Sequence, residues 1–119
     1  TLPGGDEVPM ELFVVEDKAF LGRGVFGVFS TVEKAQTFAQ DFARERNYLC
    51  AVRPLSLIGF EGDGDTVFAA HAYNSFYDTF VVDGIYSGAS LALDAVGRKG
   101  LVIRFRIDAP EDKEIVGDL

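Results

Sequence analysis

Gly27-Val28-Phe29-Ser30, with Ala35 five positions further on, returns as Gly84-Ile85-Tyr86-Ser87, with Ala92 five positions further on. Each member is displaced by the same 57 residues, and a match that keeps its spacing marks an internal repeat rather than a shared composition. Outward from this stretch, an apolar run precedes each copy (residues 12–15 and 67–70) and another follows it (49–52 and 101–107). The reading is therefore an α+β fold. Two ββαβ repeats, 11–58 and 66–108, form a mostly antiparallel sheet of about six strands with two helices on one face.

Local signals place the elements. Residues 12–15 are continuously apolar and end at Glu16-Asp17-Lys18; residues 25–29 read as the strand that pairs back on them. Ser30-Thr31-Val32-Glu33 has capping-box spacing, and behind it Val32, Ala35, Phe38, Ala39, Phe42 and Ala43 fall on one helical stripe that stops near Asn47. A third strand over 48–57 is interrupted by Pro54, which cannot donate to a ladder and so predicts an edge or a strand end. Glu61-Gly62-Asp63-Gly64-Asp65 is a turn dividing the halves. In the second half, strands over 67–72 and 79–86 are joined by residues 73–78. Ser87 or Ser90 caps a short helix that ends at Gly97, and Leu101, Ile103, Phe105 and Ile107 alternate with Val102, Arg104, Arg106 and Asp108. That polar face predicts a sheet open on one side, or covered by a second copy in a dimer.

Composition bounds the class. With 119 residues, 48% of them hydrophobic and 11 of them Phe, the chain has enough apolar surface for one self-sufficient core. The single cysteine, Cys50, lies in the apolar run Leu49-Cys50-Ala51-Val52, where a thiol behaves as a small hydrophobe. It forms no internal disulfide, which suits a reducing, cytoplasmic setting. No uninterrupted apolar stretch reaches the ~18 residues of a membrane span, and no membrane partner is expected. The net charge is −8, of which residues 1–9 contribute −2 and residues 108–119 contribute −4. Residues 1–9 read as a loose leader and 109–119 as an acidic tail on a single domain spanning 10–119. With 19 Asp and Glu against 11 Lys and Arg, the chain disfavours nucleic acid, because it would condense counterions rather than release them.

Chemical motifs are sparse. Gly22-Arg23-Gly24-Val25-Phe26-Gly27 spells G-x-G-x-x-G and locally resembles the phosphate-covering loop G-x-G-x-x-G-x-V of protein kinases, whose valine position falls on Phe29. The strand lysine, His-Arg-Asp and Asp-Phe-Gly elements that complete that site are missing. The carboxylates of 61–65 lack the Gly and Glu that an EF-hand needs at its sixth and twelfth positions, which fall on Thr66 and Ala72. His71 is the only histidine, so paired-imidazole metal sites are excluded, and with no nucleophile at recognisable spacing it reads as a hydrogen-bonded structural residue at a strand end. No metal, cofactor or catalytic residue is expected.

The segment that reads as a contact surface is the loop holding Tyr73, Asn74, Phe76, Tyr77 and Asp78. Aromatic side chains on a polar loop give large contact area at small entropic cost. Its counterpart in the first half carries Phe20. The run from Gly27 to Ala35, Gly-Val-Phe-Ser-Thr-x-Glu-Lys-Ala, is similar to runs in small bacterial α+β proteins of unknown function, a resemblance that carries no assigned residues. The expectation is a non-enzymatic protein-binding module, of the bacterial immunity or inhibitor type, with a protein partner or a homodimer. The alternative is a small-molecule sensor whose pocket lies at the repeat interface, lined by the aromatics of 73–77.

Overall fold

A computed structural model describes residues 10–17, 24–47, 49–59, 64–76, 78–97 and 100–117. In chain order the elements are β1 (Glu11–Asp17), β2 (Val25–Phe29), α1 (Val32–Arg46), β3 (Cys50–Ile58), β4 (Thr66–Asn74), β5 (Thr79–Tyr86), α2 (Ala89–Val96), β6 (Gly100–Arg106) and β7 (Ala109–Gly117). The fold is α+β. Its seven strands form one mixed sheet in the order β2-β1-β3-β5-β4-β6-β7, in which β3 and β5 are parallel and every other pair is antiparallel.

Strand parity explains which face each residue takes. Leu12 and Val14 share a face with Val28 and Leu55 through the pairs Val14↔Val28 and Leu12↔Leu55. Val67 and Ala69 share it with Phe105 and Ile85 through Val67↔Phe105 and Ala69↔Ile85. These residues form one cluster, with Leu12, Val14, Val28, Val67, Ala69, Ile85 and Phe105 all at 0–1% exposure. The opposite parity carries the helices. Val15 and Phe29 pack with Ala35 and Phe38 of α1, and Ala70 and Val102 pack with Ala92 and Val96 of α2.

The helix-free face is buried because the sheet curls until its edge strands meet. The Asp108 amide donates to the Val28 carbonyl at 2.9 Å, and a Cβ added at Gly27 would lie 3.0 Å from the Pro110 Cβ. Glycine eases this approach, since that Cβ would also press on the Phe29 ring at 2.9 Å. The expectation of a sheet open on one side is corrected accordingly: its inner face closes on itself. Each fully buried Leu, Val, Ile or Phe side chain contributes roughly 1.5–3 kcal/mol of transfer free energy to that interior.

The sequence reading is corrected in further places. A seventh strand, β7, occupies the stretch read as an acidic tail. Its Asp112 and Glu114 pair with Arg104 at 2.9 and 3.4 Å, so arginines on β6 draw a poorly β-prone segment into the sheet. Glu16 does not end β1 but lies fully buried inside it. Thr31 rather than Ser30 caps α1, its Oγ accepting from the Lys34 amide at 3.2 Å. Gly88, without a side-chain bond, caps α2 in place of Ser87 or Ser90. Pro54 lies inside β3, whose pairing with β5 is confined to Leu57↔Ile85 and Ile58↔Tyr86; at Pro54 the strand therefore has a free side. The helix end expected near Asn47 is there, with Asn47 in the left-handed region at φ 59°. The leader at 1–9 and residues 61–63 of the dividing turn lie outside the described residues.

Ser30 is taken by a distant partner instead. Asp108, at φ 66° in the β6–β7 turn, accepts from the Ser30 amide at 2.9 Å, the Ser30 hydroxyl at 2.7 Å and Lys34 Nζ at 3.0 Å. Partial burial pushes its carboxyl up, but the bonds from Ser30 and Lys34 outweigh this and hold it below the ordinary 3.8. A depressed carboxylate stabilises the fold above its unfolded pKa, and that contribution disappears as the pH falls through the folded value. Asp108→Asn is expected to cost about 1 kcal/mol at pH 7 and to flatten the loss of stability below about pH 4. Urea unfolding of both proteins across that range checks both effects.

Candidate functional site

Two arrangements combine polar chemistry with unusual exposure or burial. The first is the tip of the β4–β5 hairpin. Asn74 Oδ1 accepts from the Phe76 amide at 2.9 Å, an Asx turn that reverses the chain, and Asp78 at φ 54° completes the reversal. The Tyr73 hydroxyl donates to Asp78 Oδ1, which raises the phenol pKa, and the Tyr73 ring meets Phe80 edge-on at 5.8 Å and 71°. These contacts fix the base of the tip while Phe76 stands 85% exposed. The structure thus brings together Tyr73, Asn74, Phe76 and Asp78; Phe20 and Tyr77 lie outside the described residues. β1 and β4 run in the same direction, so Asp17 and Gly24, bonded amide to carbonyl at 3.1 Å at the base of the β1–β2 hairpin, lie at the same end of the sheet as this tip.

The second arrangement was missed by sequence reasoning. Glu16 projects into the interior from β1 and is held by Arg53 of β3, with Nε to Oε1 at 2.6 Å and Nη2 to Oε2 at 3.2 Å. The carboxylate is 1% exposed and the guanidinium side chain 42%. His71, in the middle of β4 rather than at a strand end, is 1% exposed; its Nδ1 lies 3.2 Å from the Ala69 carbonyl and 3.3 Å from that of Leu101. Carbonyls only accept, so Nδ1 carries the proton of the neutral ring. Burial pushes the imidazole pKa below 6.5, partly offset by the two carbonyls and by the Glu16 charge. A signal was available: Leu12-Val14-Glu16 and Arg53-Leu55-Leu57 each place one charge on an apolar parity, and opposite charges on the buried faces of neighbouring strands are a pairing rule.

Other groups offer little chemistry. The Cys50 thiol is pushed up by burial and by Asp17, which suppresses the thiolate. Among the described residues no cluster of three His, Cys, Asp or Glu side chains is placed to hold a metal, and no helix is long and apolar enough to cross a membrane. A surface groove of about 440 Å³ lies beside α1, lined by Phe29, Glu33, Lys34, Thr37, Phe38 and Asp108. In comparisons with known proteins, no family model, curated protein or solved structure matches the chain.

Proposed function

We propose that the protein is a non-enzymatic binding module that engages another protein through the tip of the β4–β5 hairpin. The observation that carries this reading is Phe76, 85% exposed on a turn that its neighbours hold in place. Leaving a large aromatic ring in water forgoes stabilisation in the free protein, and a turn whose backbone is already held loses little entropy when it docks on a partner. Exposed Asp78 beside it, on a chain of net charge −8, favours an apolar pocket with a basic rim, which suits the immunity or inhibitor type of role. Phe76→Ser is expected to weaken capture of the partner from native lysate by more than 2 kcal/mol, about thirtyfold, with an unchanged melting temperature. Equal capture by both baits, or no protein captured by either, contradicts the reading.

The module reads as one ββαβ unit used twice. Supporting this, β2-β1-β3 and β5-β4-β6 share one strand order, and Ala35 and Ala92 are both fully buried at the fourth position of their helices. Both also donate to the cap carbonyls, Thr31 and Gly88, at 3.2 Å. The groove beside α1 favours a second reading, a small-molecule binding domain; it lies away from Tyr73, but Asp108 of the second unit joins residues of the first in its lining. A thermal-shift screen separates the two, since a groove ligand raises the melting temperature by mass action.

A further inference from the structure

We propose that the hairpin end of the interior is an acid-operated gate, in which protonation of His71 parts the unpaired lengths of β3 and β5. Added charge has few places to go in this interior. Among the described residues the buried polar side chains are Glu16, His71 and Ser87. Around His71, β1 presents Glu16 to the interior and β3 presents Arg53. β2 presents Val25, β5 Val82, β6 Leu101, and β4 itself the phenol of Tyr73. The neutral ring is satisfied by the carbonyls that accept from Nδ1. A proton added at Nε2 creates a cation whose available counter-charge, Glu16, is already gripped at two points by Arg53. One carboxylate then stands against two cations, and the excess positive charge in the interior draws in water.

The seam supplies the route. Hydrogen-bonded pairing of β3 with β5 stops at Leu57↔Ile85, so no ladder joins residues 50–56 to residues 79–84, and Arg53 already reaches solvent. The side of the sheet opposite the seam is tied by Asp108 to Val28 and Ser30, so separation is confined to the hairpin end. Because β5 begins at the tip that carries Phe76, the gate also couples acidity to the position of that tip. The direction follows from burial: the closed form resists the proton, so acid below the ordinary imidazole value of 6.5 favours the open form.

The test is a pH titration of the full chain by NMR, whose single histidine gives one imidazole signal. A soluble paramagnetic probe meanwhile reports the access of solvent to methyl groups. The expected result is a severalfold rise in probe access to Val14 and Val82 at the midpoint where His71 titrates, with Leu12 and Val67 still shielded, and no rise in His71→Gln. A His71 titration that leaves Val14 and Val82 shielded overturns the proposal, as does access that rises equally at all four residues or rises unchanged in His71→Gln. Should His71→Gln not fold, coincidence or separation of the two wild-type midpoints decides the matter.

Discussion

Arg53→Met is expected to lower the free energy of unfolding by about 3 kcal/mol, a far larger loss than that from an exposed arginine. The reason lies in its partner. Glu16 is 1% exposed, and its two hydrogen bonds come from Arg53, so removing the guanidinium strands a carboxylate in an apolar interior. The figure stands at the lower end for a broken buried pair because Arg53 is itself 42% exposed and water screens the site. The double variant Glu16→Met/Arg53→Met is expected to recover most of the loss, because an apolar pair of similar volume removes the desolvation cost along with the attraction. Urea denaturation at pH 7 of the wild type, both single variants and the double closes the cycle; additive losses contradict the pairing.

Phe105→Ala is expected to cost about 4 kcal/mol, measured in the same way. Phe105 is the largest fully buried side chain among the described residues, at 0% exposure in the cluster that joins β1, β2, β4, β5 and β6. Its removal leaves a cavity bounded by strands already locked by their ladders, which collapses poorly. Phe76→Ala makes the matched control: the same chemical change at 85% exposure is expected to move stability by less than about 0.5 kcal/mol. Similar costs at the two positions would mean that Phe76 covers the core instead of standing clear of it.

What the sequence disclosed was what local chemistry decides. The stripe through Ala35, Phe38 and Phe42, and the left-handed stop at Asn47, follow from helical spacing and one residue's tolerance of positive φ. The hairpin tip was legible because Asn74 and Asp78 shape it with their own side chains. What stayed hidden depends on partners far along the chain. Ser30 has the credentials of an N-cap, but Asp108, 78 residues away, takes its hydroxyl and leaves the cap to Thr31. Ala109-Pro110-Glu111-Asp112 has weak strand character until Arg104 and Arg106 are placed beside it. Glu16 reads as a stop until Arg53 arrives on the neighbouring strand. Curling of the sheet has no period in the sequence at all, since it depends on Gly27 and Pro110 coming into contact.

That curl is what gives two groups of strands a common interior and leaves Phe76 outside it. Nuclear Overhauser effects between Val28 of β2 and residues Phe105 and Asp108 test it most directly. In the strand order β2 and β6 stand five places apart, so a flat sheet separates them by about 24 Å, far beyond the reach of the effect. In the curled sheet the Val28 carbonyl accepts from the Asp108 amide, and Val28 and Phe105 share one cluster. Cross-peaks linking Val28 to both residues are the expected result; their absence, with the β1–β2 and β4–β6 ladders intact, contradicts the shared interior.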